Sequence, residues 1–338
     1  MAERRISLAH GGGGSLMNSL IRDLFFRNFR NPVLTRATDA ALLDMPPGKI
    51  AYTTDGFVVD PLFFPGGNIG KLAVCGTLND LAVSGAEPRY LSASFILEEG
   101  LLLEELERIV IAMAETAEEA GVPVVTGDTK VVPRGKADKV FVTTSGIGWL
   151  PEKFKGISEG KEIIPGDRIL VNGTLGDHGM AVLLHRESFN MEAPIASDCA
   201  NLYPLIRDVL SVCPEVRFMR DATRGGMATV LCELAERQSF GIELNETEIP
   251  VNPAVEKACE LLGMDPLYIA NEGKAVIVVP KKHAEEVFQV MKKHPLGTGT
   301  AIVGSITDRH PGKVTMKTML GGLRWVDYLT GDQLPRIC

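Results

Sequence analysis

No CxxC pair occurs in this chain; its six cysteines, Cys75, Cys199, Cys213, Cys232, Cys259 and Cys338, are scattered. That spacing argues against a zinc knuckle or a disulfide framework and fits a reducing cytoplasm. No apolar run approaches the roughly 20 residues that span a bilayer, and no apolar signal region follows Met1-Ala2-Glu3-Arg4-Arg5. The expectation is a soluble cytoplasmic protein with no membrane partner. Positive charge is also in short supply. Against 43 Asp plus Glu stand 35 Lys plus Arg, a net charge of −8, which is the wrong sign for displacing counterions from nucleic acid. Any phosphate held by such a chain should be small and metal-bridged. Low-complexity tracts are missing too, so the 35 glycines are expected to shape loops.

What is present is a core. Hydrophobic residues make up 45% and charged ones 23% of 338 residues, a length beyond the ~250–300 at which one core stops growing, so two domains are expected. Strands are read at 50–59, 90–97, 122–132 and 139–149, and helices at 70–84 and 104–120. The second helix carries the apolar stripe Leu106, Ile109, Val110, Met113 and Ala117, ended by Gly121-Val122-Pro123. Residues 151–166, rich in Gly, Pro, Lys and Glu, read as a linker. The division is 1–37 (glycine-rich segment and helix), 38–150 (α/β), 151–166, 167–318 (a second α/β domain) and 319–338 (a mobile tail). In the second domain helices are expected near 178–186, 202–212, 224–237 and 254–262, with strands near 242, 275–279, 301–306 and 314–317. Gly127-Asp128-Thr129-Lys130 and Asn271-Glu272-Gly273-Lys274 both set an acid and a lysine before an apolar run, a faint echo that leaves duplication an open question.

Several residues carry possible chemistry. Gly11, Gly12, Gly13 and Gly14 precede a helical stretch with Leu16, Leu20, Leu24 and Phe25; bare amides at a helix start suit an anion, and a flexible hinge is the plainer reading. Asp39, Asp55, Asp80 and Asp221 sit at strand-like, apolar or glycine-rich positions. Together they suggest oxygen ligands for Mg²⁺ on nucleotide phosphates, although each alone is as well read as a cap or turn. Lys130 after Asp128 suits a transferring phosphoryl group or a solvated loop. Glu272 between Asn271 and Gly273, and His178 in Gly176-Asp177-His178-Gly179, are candidate bases or turn residues. Asp198-Cys199 is a similar case. Cys338 is the last residue, so it cannot belong to a prenylation box, which needs its Cys four from the end. It is either an idle thiol or a carrier on an arm behind Gly321-Gly322.

Taken together, the glycine run after Leu8-Ala9-His10, Thr53-Thr54-Asp55-Gly56, Asn79-Asp80, Gly127-Asp128-Thr129-Lys130, Gly176-Asp177-His178-Gly179, Ser197-Asp198-Cys199-Ala200, Arg220-Asp221-Ala222-Thr223-Arg224-Gly225-Gly226 and terminal Pro335-Arg336-Ile337-Cys338 resemble the carbamoyl dehydratase (HypE) family of nickel-iron hydrogenase maturation. This family lies within the aminoimidazole ribonucleotide synthetase and selenophosphate synthetase superfamily. The resemblance implies an α/β fold of two domains of the aminoimidazole ribonucleotide synthetase type, the N-terminal sheet pairing across a homodimer, and ATP with Mg²⁺ in the cleft. It implies metal ligation by Asp55, Asp80 and Asp221, and nucleotide contacts from Gly11, Gly12, Gly13, Gly14, Asp39, Asn79, Thr126, Gly127, Asp128 and Thr129. A carbamoyltransferase, HypF, would load Cys338 with a carboxamide; ATP would phosphorylate its oxygen, and loss of protons and phosphate would leave a thiocyanate. Its cyanide would pass to iron on a HypC–HypD scaffold.

Three alternatives stand beside this. A selenophosphate synthetase needs a Cys or selenocysteine in the N-terminal glycine loop, where this chain has none before Cys75. A thiamine monophosphate kinase has no use for Cys338. A nucleotide-gated scaffold would bind ATP without turnover.

Overall fold

The computed structural model describes residues 4–186 and 194–329; Cys338 lies outside them. The chain opens with a short turn and a helical segment in three pieces, α1 (Ser15–Leu20), a π-turn (Ile21–Phe26) and α2 (Arg27–Phe29). The stripe Leu20, Leu24 and Phe25 is buried beneath it. There follow β1 (Lys49–Phe57), a hairpin of β2 (Phe63–Phe64) and β3 (Gly67–Asn68), α3 (Ile69–Val83), β4 (Glu87–Glu98), α4 (Leu103–Ala120), β5 (Val124–Val132) and β6 (Val140–Leu150). The main sheet has the order β1-β6-β4-β5, antiparallel except for the β4–β5 pair.

Apolar residues surround α3, because both of its sides are covered: the sheet on one, α4 and the second domain on the others. Two glycines permit that approach. A Cβ on Gly70 would lie 2.2 Å from the carbonyl oxygen of Ile109 on α4, and one on Gly146 of β6 would lie 2.7 Å from Thr77 of α3. The other face of the sheet is uncovered, with Ile50 55% and Tyr52 67% exposed on β1.

The second domain contains β7 (Arg168–Val171), α5 (Asp177–Leu184), α6 (Tyr203–Val212), β8 (Phe218–Asp221), α7 (Gly226–Glu236), β9 (Gly241–Asn245), α8 (Pro253–Leu262), β10 (Ala275–Val279), α9 (Ala284–Lys293), β11 (Ala301–Thr307), β12 (Val314–Lys317) and β13 (Leu323–Val326). Its sheet runs β13-β12-β9-β11-β7-β10-β8. Strand β10 is buried throughout; Val276 and Val278 meet the α7 side, while Ala275, Ile277 and Val279 meet α6 and α9. That two-faced burial explains its unbroken apolar run. No described helix is long and apolar enough to cross a membrane.

The span 151–166, expected as the linker, is packed, with Phe154, Ile157 and Ile163 buried in the cores. Two expectations need correction. The tail does not begin at 319, because β13 pairs with β12 inside the sheet. The sequence echo is positional only: Gly127-Asp128-Thr129-Lys130 lies within β5, whereas Asn271-Glu272-Gly273-Lys274 precedes β10.

Candidate active site

An acidic cluster forms where the domains meet. Inward-facing residues of β1 supply Thr53 and Asp55, α3 supplies Thr77 and Asp80, and the end of β8 supplies Asp221. Thr53 Oγ1 donates to Asp80 Oδ2 at 2.6 Å and Thr77 Oγ1 to Asp55 Oδ2 at 3.0 Å. Thr77 also lies 2.6 Å from Thr144 Oγ1, which donates to Ala73 O at 2.9 Å. Burial, then the charge of Asp80, raises the Asp55 pKa. Burial likewise raises Asp80. It pushes Asp221 up to about 7, with Asp80 adding to the effect. Glu272, 3% exposed, stands well above the carboxylate range through burial first, then Asp221 and Asp198. The cationic groups that offset Asp80 are Arg220 and Arg224.

The loop carrying Glu272 is anchored on several sides. Asp198 accepts from the backbone N–H groups of Glu272 and Gly273 and from Lys274 Nζ. Asn79 Nδ2 donates to the carbonyls of Ala200 and Glu272 at 3.0 and 3.2 Å, and its Oδ1 accepts from Leu202 N–H at 2.8 Å. In this structure the Asn79 amide thus clasps the two domains together. His178 is buried on α5, with Nδ1 2.8 Å from Ser197 Oγ and its ring edge-on to Phe64.

The sheet divides the remaining expected residues. Asp55, Thr144, Ala93 and Gly127 share one cross-strand row, so β5 stands three strands from β1, roughly 14 Å. Asp128 and Lys130 alternate with buried Thr129 and therefore project from the opposite, uncovered face, where they pair with each other at 2.5 Å. Within one chain Lys130 is thus not brought to the acidic cluster. Gly11 packs against the side chain of Val131, which alternates with Lys130 and belongs to the core-facing side of β5, so the glycine loop meets the covered side of that strand. Thr126, Gly127, Asp128 and Thr129 line an apolar cleft together with Phe25 and Phe29. Asp39 sits in an exposed irregular segment ahead of β1. Sequence reading gave no role to Thr53, Thr77, Arg224 or Lys274; Thr53 and Arg224 stood in the motifs around Asp55 and Asp221 and Lys274 in the stretch after Glu272, while Thr77 had no signal.

Among the described residues no three His, Cys, Asp or Glu side chains could hold a metal ion by themselves. The donor set is nevertheless hard oxygen with unbalanced negative charge, which suits a Mg²⁺ ion completed by phosphate oxygens and water rather than a protein-only cage.

Comparison with known proteins gives this geometry its context. Residues 37–150 match the family model of the AIR synthase related protein N-terminal domain, and residues 165–317 that of its C-terminal domain. The carbamoyl dehydratase HypE of Azotobacter vinelandii is 50% identical over 333 residues, covering 98% of this chain and 97% of that protein. The chain belongs to the HypE carbamoyl dehydratase family. A crystal structure of the hydrogenase maturation protein HypE in complex with ATP superimposes with a TM-score of 0.93 at 45% identity, covering 98% of this chain and 99% of that one. A crystal structure of a HypE–HypF complex does so with a TM-score of 0.79 at 47% identity, covering 92% and 100%. For a HypE family enzyme of hydrogenase maturation, the reaction class is carbamoyl dehydration.

Proposed function

We propose that the buried acidic cluster at the domain junction is where this HypE family member dehydrates an S-carboxamide carried on its own Cys338, with ATP as the activating reagent. The γ-phosphoryl group moves to the amide oxygen and ADP departs. Loss of the two nitrogen-bound protons, with cleavage of the carbon–oxygen bond, then gives the thiocyanate, inorganic phosphate and one net proton. Asp55, Asp80 and Asp221 would hold Mg²⁺, which neutralises phosphoryl charge when bound. Arg224 faces the same acids and supplies the cationic charge that Lys130 cannot deliver within one chain. The glycine loop, Asp39 and residues 126–129 are the expected nucleotide contacts, beside the cleft lined by Phe25 and Phe29.

The observation that carries the reading is the Glu272 carboxyl, buried among other acids and raised in proton affinity, the environment that turns a carboxylate into an effective base. His178 is the second candidate. The carrier thiol is within reach of Glu272. Tyr268 donates to Asp327 O at 2.8 Å near the tail's origin, and Tyr268 stands four residues before Glu272, at most about 14 Å of backbone. The eleven residues from Tyr328 to Cys338 extend to roughly 36–40 Å.

Two partner assignments follow from the same reading. The similar HypE–HypF complex supports HypF as a partner; loading of Cys338 by HypF as carbamoyltransferase and transfer of the cyanide to a HypC–HypD iron scaffold are part of the proposal. The uncovered sheet face bearing Ile50 and Tyr52 is the homodimer surface; light scattering should return the mass of two copies, and a monomer at micromolar concentration would count against it. The central test is Cys338→Ala, which should bind Mg-ATP as the parent chain does and lose carbamoyl-dependent ATP hydrolysis, because the phosphoryl acceptor exists only on that sulfur. Parental hydrolysis with the carbamoyl donor system present would overturn the assignment.

A further inference from the structure

Residues 197–199 form a strap that touches both domains. Ser197 N–H donates to Pro65 O of the β2–β3 turn at 2.8 Å, and Ser197 Oγ meets His178 at 2.8 Å while accepting from Cys199 N–H at 3.1 Å. Asp198 is next in line, and its side chain is only 4% exposed. It accepts from Glu272 N–H at 3.1 Å, Gly273 N–H at 3.2 Å and Lys274 Nζ at 2.9 Å. On the other side of the same peptide, Glu272 O accepts from Asn79 Nδ2 at 3.2 Å and from Ala200 N–H at 3.4 Å. Gly273 leaves no slack, since a Cβ there would lie 1.9 Å from Asp198 O.

Stability is a poor reason for this arrangement. A buried ion pair such as Asp198–Lys274, with Lys274 only 11% exposed, returns little more than its desolvation cost, and apolar residues of similar volume often do as well. What the carboxylate does that an apolar side chain cannot is bind two successive backbone N–H groups. With its N–H and C=O both held, Glu272 can move its carboxyl only by side-chain rotation.

We infer that Asp198 is a positioning residue, fixing the Glu272 backbone so that its carboxyl meets the carboxamide nitrogen. The inference rests on Glu272 being the base. A group displaced by about 1 Å from its reacting partner loses on the order of 100-fold in rate, and this is the scale of effect to look for.

The test uses the full chain loaded with carboxamide on Cys338, followed by intact mass after ATP addition, with ATP affinity measured in parallel. Asp198→Asn keeps one acceptor oxygen and should slow thiocyanate formation about 10-fold; Asp198→Ala, which keeps none, should slow it about 100-fold. Both should leave ATP affinity within twofold. If Asp198→Ala does not fold, the nearly isosteric Asp198→Asn carries the test. Adding Asp198→Asn to Glu272→Gln should cause no further loss, because the two act as one unit. Dehydration at the parental rate in Asp198→Asn, with Glu272→Gln stalled, overturns the positioning role alone. Parental dehydration in Glu272→Gln overturns the base assignment and the inference with it. A loss of ATP affinity matching the loss of rate also overturns the inference, because the strap would then be shaping the nucleotide site.

Discussion

Asp128 and Asp221 are both aspartates on β-strands, and both were candidates for the same nucleotide site, yet their surroundings differ in sign. Asp128 lies on the uncovered face of the first sheet, where the bond from Lys130 holds its carboxyl below the usual range. Asp221 ends β8 at the domain junction, where burial and then the charge of Asp80 push it up to about 7. The first carboxylate is already compensated. The second belongs to a group with Asp55, Asp80 and Glu272 whose negative charge is only partly offset by Arg220 and Arg224. A fold gains nothing from gathering like charges out of water, so such a cluster marks the place where a cation and a reaction are expected.

The largest effect that could break this contrast is on ligand binding. Asp80→Asn keeps the shape and removes a charge, and it should weaken Mg-ATP binding by about 100-fold, whereas Asp128→Asn should weaken it by less than about 10-fold. Calorimetric titration of the two variants checks this, and equal losses would erase the distinction between the two aspartates.

A smaller effect sharpens it. Because the folded-state pKa of Asp221 lies above its unfolded value, the folded ligand-free protein binds more protons between about pH 4 and 7. This contribution is present below the unfolded pKa and is lost as pH rises through about 7. Asp221→Asn should therefore flatten the decline and, at pH 8, stabilise the ligand-free chain by on the order of 1–2 kcal/mol. Denaturant melts across pH 5 to 8 measure the slope; an unchanged slope in the variant would show that Asp221 is compensated after all.

Much of the frame was legible because periodicity survives burial on one face. The stripe on α4 and the alternation along β1 and β6 each report a single covered side. The hairpin strands β2 and β3 escaped reading because each has two residues, and β8 and β13 because Arg220-Asp221 and Arg324 interrupt their four-residue apolar pattern, whereas β12, equally short, was expected at 314–317. In the candidate site, the aspartates stood out as charges in apolar or glycine-rich surroundings. Which of them converge could not be read along the chain, since the face on which Asp128 projects depends on the pairing of β5 with β4. Asn79 shows the other limit: its clasping partners Ala200, Leu202 and Glu272 lie more than a hundred residues away, so that role leaves no local mark in the sequence.

The most direct measurement of the account is intact mass over time for Glu272→Gln, loaded on Cys338 by the carbamoyltransferase and then given ATP. Glutamine keeps the volume and cannot take a proton, so the carboxamide form should accumulate and thiocyanate should form at least about 100-fold more slowly than in the parent chain, with ATP binding retained. Conversion to thiocyanate at the parental rate would contradict the claim that the buried glutamate at the domain junction is the base of this reaction.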